Sequence, residues 1–431
     1  MSKWGNIQVN EFSEVISGAT PTTNTKEYWD GGIEWITPAD LSKLRSRFIE
    51  HSDRTISLEG LRNTSVHLTP KNNIVMSSRA PIGYFAIPIN DFTTNQGCKT
   101  FILKSGHDPD YHYYNFLFNI GYIKRFGGGS TFAEISKSDV EKLIFKITTD
   151  PAEQRKIARI LSTVDSVIEE TEAAIAKYKA IKQGMMQDLF TRGLDKSGKL
   201  RPRCQETPEL YKKTGLGWIP KEWDTVRLGE MCNLRRGASP RPIDDPKYFA
   251  SVGRGWVRIS DVTSAYKYLT KTTQRLSELG ETLSVKVNPG ELIMSICATL
   301  GRPIIVDTEV CIHDGFVFFK DIEVNLNIEF VFYFLLLNEA EISKNKQIGT
   351  QGNLNTSIVN AILIPKPKSE EQLVIAKRLS GMDSVLNSEE MTLNKFVKVK
   401  SALMSVLLTG KVPVKYEEEK TNTRLINATI N

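Results

Sequence analysis

The sequence predicts an α+β fold built on one plan used twice: two globular α/β domains joined by two long helices that form an antiparallel coiled coil, a pseudo-twofold internal repeat. Three observations predict it. Residues 151–193 reappear without gaps at an offset of 218, from Ser369 onward. Apolar residues in both copies recur in alternating steps of four and three, the spacing of a coiled-coil seam. The segments preceding the copies match more loosely, and their short β-rich runs mixed with helices suit small twisted sheets.

The first domain is expected over residues 1–150 and the second over 223–368, because their scaffold pieces align. Trp4 matches Trp223 in WGNIQVNEF against WDTVRLGEM, and Gly18-Ala19 matches Gly237-Ala238. WITPADL from Trp35 matches WVRISDV from Trp256, and VMSSRAPIG from Val75 matches IMSICATLG from Ile293. TNQGC from Thr94 falls opposite IHDGF from Ile312, while the intervening loops do not match. Strands are expected at Asn73 to Met76, Thr100 to Leu103, Leu292 to Ile296, Pro303 to Val306 and Val317 to Phe319, and helices at Tyr111 to Ile123 and Ile328 to Leu337.

The first long helix, 151–193, carries Ile157, Leu161, Val164, Ile168, Ile175, Tyr178, Met185 and Leu189 on its seam. The second, 369–412, repeats them as Ile375, Leu379, Met382, Leu386, Leu393, Phe396, Leu403 and Leu407. Both seams break at the same steps, Thr171/Glu389 and Lys182/Lys400, and identities such as Glu153/Glu371, Gln154/Gln372 and Asp165/Asp383 run along the pair. So narrow a stripe on so long a helix is most economically buried by its own copy, antiparallel because a whole domain intervenes. The alternative is two surface helices, each docked on its own domain. Residues 194–222, rich in Gly, Pro and charge, should be a linker, and the tail 413–431 should be disordered.

Composition bounds the function. With 431 residues, 40% of them apolar and 25% charged, the chain can bury a substantial core in two or three domains. The most apolar run, around Phe330 to Leu337, is far short of the roughly 18–20 residues that span a bilayer. The start, MSKWGNIQV, has no signal-peptide pattern, so cytoplasmic residence without membrane contact is expected. Cys98, Cys204, Cys232, Cys297 and Cys311 are scattered, without CxxC or CxxH pairing, and read as reduced structural thiols. Net charge is +6, yet residues 1–150 balance sixteen basic against sixteen acidic side chains. The excess lies mainly in residues 194–368, with 24 basic against 20 acidic side chains, and within them residues 227–275 hold ten basic and four acidic residues. That is a patch able to neutralise phosphates or, equally, a solvated face.

Catalytic signatures are missing from the string. It contains no GxxxxGK[ST], no GxGxxG after a strand, no HExxH and no GxSxG. GGGS (Gly127 to Ser130) reads as a flexible turn more than a phosphate cradle. His51, His67, His107, His112 and His313 lack ligand spacing, and His313-Asp314 are expected to point apart on a strand. No catalytic centre and no metal site are expected in this chain.

The doubled plan, the GWIPKEWDTVRLGE entry from Gly217, and helices opening on AEQ or EEQ and closing on LFTRG or LLTGK resemble the specificity subunit of type I restriction-modification systems (the S subunit, HsdS). The resemblance covers nearly the whole chain. It implies a non-catalytic DNA-binding component whose two target-recognition domains each read one half of a bipartite asymmetric site in double-stranded DNA. The paired helices would act as spacer and as docking surface for two methyltransferase (modification) subunits, and restriction/translocase subunits would complete the complex. S-adenosylmethionine, ATP and Mg would belong to those partners, with no cofactor in this chain. From Ile157 to Leu189 is 32 steps, so at 1.5 Å per residue the rod spans roughly 48 Å. One duplex turn is about 34–36 Å, which implies a gapped target. A first domain of zero net charge departs from the expectation of strong independent DNA binding.

Direct readout is expected from polar residues of the mismatched loops: Lys43, Arg45, Arg47, Arg79, Thr94, Asn95 and Gln96 in the first domain. In the second they are Arg235, Arg236, Arg241, Arg258, Thr299, His313, Asp314, Gln351 and Asn353. Arginine suits guanine, and Asn or Gln suits adenine, in the major groove. The competing readings are a coiled-coil adaptor without sequence readout and a standalone restriction enzyme.

Overall fold

The computed structural model describes residues 3–127, 133–344 and 353–415. The chain divides into two compact units, Met1–Ala174 with Glu390–Asn431, and Ile175–Glu389. Each unit therefore holds one domain and a half of each long helix.

In the first unit, strand Trp4–Gln8 pairs antiparallel with Ile144–Thr148, Trp4 opposite Thr148, so the domain closes where it hands the chain to the helix at Pro151. Its main sheet runs Ser13–Ser17, Cys98–Leu103, Ile74–Ser77, Phe85–Pro88, Phe48–Ile49, with a parallel last pair. A second sheet orders Thr55–Ile56, Trp29–Ile36, Phe92–Thr94. The expected helix from Tyr111 to Ile123 is two, Pro109–Phe118 and Ile120–Lys124. Asn119 separates them: its side chain donates to the carbonyl of Asn115 at 2.9 Å and caps the first.

The second unit repeats this order. Asp224–Arg227 pairs with Leu363–Lys366, and the main sheet runs Asn233–Arg236, Phe316–Lys320, Leu292–Ser295, Pro303–Val306, Tyr268–Leu269. Its second sheet has four strands, Val285–Val287 being the addition. The segment read as a linker contains an antiparallel hairpin, Tyr211–Thr214 with Gly217–Pro220.

The long helices are Pro151–Thr191 and Ser369–Leu407. Proline at the first turn of one, where its missing N–H costs nothing, follows Asp150, whose carboxylate accepts from the Ala152 amide at 2.9 Å. In the first unit the indole of Trp4 donates to Glu153 at the start of the first helix (3.3 Å), and a Cβ on Gly410, beyond the end of the second, would meet the same ring at 2.8 Å. In the second unit Trp223 donates to Glu371 (3.0 Å), and a Cβ on Gly193 would meet its ring at 2.3 Å. Start lies beside end in both units, so the helices pack antiparallel.

The expected seam is only part of what the helices bury. Ile157, Leu161 and Leu407 join the core of the first domain, and Leu189, Ile375 and Leu379 that of the second, with Met185 packed against it. Ile175 and Leu386 are buried, whereas Val164, Ile168, Tyr178, Met382, Leu393, Phe396 and Leu403 are half-buried. Two steps read as breaks, Thr171 and Lys182, are buried. Gln154 and Gln372 play matched parts: each accepts from the backbone N–H that caps a domain helix, Asp108 or Asn327, at 2.8 Å.

Candidate nucleic-acid interface

At one end of the first domain's main sheet, a tight turn carries Thr94, Asn95 and Gln96 beside Gly18. A Cβ on Gly18 would come within 2.1 Å of the Asn95 carbonyl, so only glycine lets these chains approach. Asn95 Oδ1 accepts from the Gly97 amide at 3.0 Å, the Ser78 amide donates to the Gly97 carbonyl at 2.8 Å, and Thr20 donates its hydroxyl to Gln96. Arg79 sits beside Gly97, its Nη1 3.7 Å from Glu134. Thr94 is buried, Asn95 and Arg79 half-buried, and Gln96 exposed.

The second domain builds the same turn from different side chains. Gly237 approaches the His313 carbonyl as closely, His313 Nδ1 accepts from the Gly315 amide at 2.9 Å, and the Ile296 amide donates to Gly315 at 2.8 Å. Ser239 donates to Asp314 at 2.6 Å, where Thr20 serves Gln96. Arg236 Nε donates to the Asp314 carbonyl (2.8 Å), and Arg241, 69% exposed, reaches the Asp314 carboxylate at 3.3 Å. His313 and Asp314 are therefore not on a strand: Val310–Ile312 ends before them, and they form a turn in which their side chains lie 3.9 Å apart. The Ser239 hydrogen bond, with Arg241, holds the Asp314 carboxyl below its usual range. Burial lowers the His313 imidazole, with Asp314 opposing the shift and Arg258 reinforcing it. Cys297, at the position of Arg79, contacts the Gly315 carbonyl at 3.6 Å.

The other residues lie apart from these turns or at their edges. Lys43 pairs with Asp53 on the surface. Arg45 and Arg47 line a cavity with Ile168 and Glu169 of the first long helix, and Arg47 is 16% exposed and bonded to Asp110 at 2.6 Å. That ion pair ties Arg47 to the domain's own helix Pro109–Phe118. Arg235 is exposed on its strand, and Arg258 donates to Gln274 at 2.7 Å. Thr299 is half-buried, its carbonyl taking the Ser295 hydroxyl. Asn353 precedes Leu354, whose amide bonds the Ile296 carbonyl at 3.0 Å, while Gln351, residues 128–130 of GGGS and the tail from 416 lie outside the described residues.

Each domain is also locked to the helix pair. Tyr114 donates to Asp165 at 2.7 Å, and Lys400 of the other helix reaches the same carboxylate at 2.5 Å. In the second unit Tyr333 donates to Asp383, which pairs with Lys182. The pair Arg47–Asp110 has its counterpart in Lys267–Glu329, 3.0 Å. Sequence reading missed Tyr114, Tyr333, Thr20, Ser239 and the buried Lys99, whose ammonium donates to Ser78 at 3.2 Å and is lowered by burial. The tyrosines were findable as identical residues near the repeat offset; Lys99, in the run CKTFIL, has no repeated partner.

All five cysteines are free, and burial pushes Cys232 and Cys311 up to about 11. Among the described residues there is no group of three His, Cys, Asp or Glu that could hold a metal, and no helix long and apolar enough to cross a membrane.

Comparison with known proteins accounts for this doubled site. The model of the type I restriction modification DNA specificity domain matches residues 1–179 and again 220–398. The MjaIX type I restriction enzyme specificity subunit of Methanocaldococcus jannaschii is 35% identical over 239 residues, 55% of this chain and 53% of its own. The chain thus spans about half the length of that relative. The MjaVIII specificity subunit of the same organism is 24% identical over 96% of this chain and 93% of its own. Among solved structures, the type I S subunit from M. genitalium shares the fold with a TM-score of 0.59, at 16% identity, over 96% of this chain and 97% of that one. The chain belongs to the family of type I restriction-modification specificity subunits, the non-catalytic component of those enzymes, and carries the family's DNA specificity domain once in each half.

Proposed function

We propose that the chain reads a bipartite, asymmetric double-stranded DNA target, with residues 1–150 and 223–368 each serving one half-site. The helix pair then docks two methyltransferase subunits and, through them or beside them, restriction/translocase subunits that supply S-adenosylmethionine, ATP and Mg chemistry in the cytoplasm. One observation carries this reading: the two turns share the glycine approach and the backbone bond of Ser78 to Gly97 or Ile296 to Gly315, yet present Asn95, Gln96 and Arg79 in one domain against His313, Asp314 and Cys297 in the other. A common frame with different donors and acceptors is what two readers of different base sequences require. The amide of Gln96 suits adenine and the guanidinium of Arg79 suits guanine. Arg241 spends one contact on Asp314 and keeps further donors for a phosphate or a base edge.

The test is exchange of residues 1–150 for the corresponding domain of a relative, followed by sequencing of methylated sites in a host that carries the complete system. One half of the recognised site changes and the other stays. A change in both halves, or in neither, overturns the reading.

A further inference from the structure

The two units differ at one corresponding place beside the helix pair. In the second, the ring of Tyr266 lies against the ammonium of Lys182, 4.2 Å from its centroid, and edge-on to Phe332 with centroids 6.4 Å apart. Among the described residues of the first unit no ring lies so on Lys400 and Tyr113. Arg47 corresponds to Lys267, because the Ile87 amide donates to the Arg47 carbonyl as the Ile305 amide does to that of Lys267. Leu44 and Ala265 correspond as the residues that end the preceding helices. Between these fixed points the first domain has Arg45-Ser46 and the second has Tyr266 alone.

Where the ring would lie there is a cavity of about 350 Å³, lined by Ser46, Tyr113, Ile168, Glu169, Val397 and Lys400 among others. Tyr113 holds the place of Phe332, and Lys400 that of Lys182. Lys400 is 24% exposed against 8% for Lys182, the difference expected when a covering ring is removed. A cation beside an aromatic wall attracts a second aromatic face.

We propose that this cavity takes an aromatic ring, a tyrosine or phenylalanine side chain projected by a partner polypeptide, which lies on Lys400 and against Tyr113 as Tyr266 lies on Lys182 and Phe332. A protein side chain fits because the chain's own second half fills the matching place with one. The rim, with exposed Arg45, Glu169 and Glu172, also offers both signs of charge to the polar groups that flank such a residue. The partner's identity as a modification subunit rests on the function proposed above; the ring site itself does not.

The probe is p-cresol, followed by saturation-transfer NMR on the full chain. The wild type gives transfer to the probe, and two variants that carry their own ring, Ser46→Tyr and the replacement of residues 44–47 by Ala-Tyr-Lys, reduce it at least about tenfold, as loss of an aromatic anchor site should. Using two variants covers misfolding of either, and the cognate methyltransferase subunit added to wild type displaces p-cresol without any mutation. Absence of transfer in wild type, or equal transfer in well-folded variants, overturns the site. If the subunit binds but leaves p-cresol in place, a partner-borne ring is overturned while the specificity reading stands. Failure of the wild type to bind any methyltransferase subunit sinks the specificity reading, and the p-cresol comparison still decides the cavity.

Discussion

Lys182, near the end of the first long helix, forms an ion pair with Asp383, near the start of the second, and the two side chains are 8% and 14% exposed. Burial lowers the Lys182 ammonium and Asp383 opposes that shift. Removing one member of a buried pair strands the other, at a cost of about 3–5 kcal/mol. Lys182→Ala should approach the lower end of that range by urea unfolding. Lys400→Ala should cost less, roughly 1–2 kcal/mol, because solvent already screens the 24% exposed Lys400 side chain and so weakens the pair it makes with the buried Asp165. Equal losses would count against the asymmetry in burial.

The glycines of the helices separate into two kinds. Gly193 and Gly410 have φ of +63° and +67° and abut Trp223 and Trp4, so Gly193→Ala and Gly410→Ala should each destabilise by about 1–3 kcal/mol. Gly184 and Gly381 lie inside the helices with open space where a Cβ would go. Gly184→Ala and Gly381→Ala should stabilise by about 0.4–1 kcal/mol, measured as a higher thermal midpoint.

Acid should weaken the first domain through its histidine pair. His107 Nδ1 lies 3.0 Å from His112 Nε2, and His112, fully buried and stacked on Phe12, has no hydrogen-bond partner for Nδ1 among the described residues. Burial lowers both imidazoles below the ordinary 6.5. A base whose folded pKa is depressed binds more protons when unfolded, so its contribution is complete above about 6.5 and declines as pH falls below that value. His112→Phe should flatten the decline in unfolding free energy between about pH 6.5 and 5. An unchanged slope would place the acid sensitivity elsewhere.

Asp314 gathers Ser239, Arg236 and Arg241, so Asp314→Asn should release Arg241 and alter base preference in one half-site only. Discrimination there should shift by about 1–3 kcal/mol, read from binding to duplexes varied base by base. Arg47→Ala should act differently: by breaking the Arg47–Asp110 pair it lowers stability and leaves base preference as it was.

The sequence by itself determined the doubling, the two long helices and the family, because a gapless repeat and a four-three apolar rhythm are local or translational patterns that survive without coordinates. It also set Thr94 to Gln96 opposite Ile312 to Asp314 at the repeat offset, but put His313-Asp314 on a strand where the structure has a turn. Tertiary structure alone decided what the polar identities are for. Lys182 and Lys400 read as faults in an apolar seam because periodicity counts only apolar residues. Their partners, Asp383 and Asp165, lie on the other helix, 201 residues away in the case of Lys182. Arg45 and Arg47 likewise follow Lys43 by a few positions, but the chain turns towards the first long helix after Leu44. Which way a surface arginine points depends on where a carboxylate such as Asp110 comes to rest, and that is fixed by packing between segments distant in sequence.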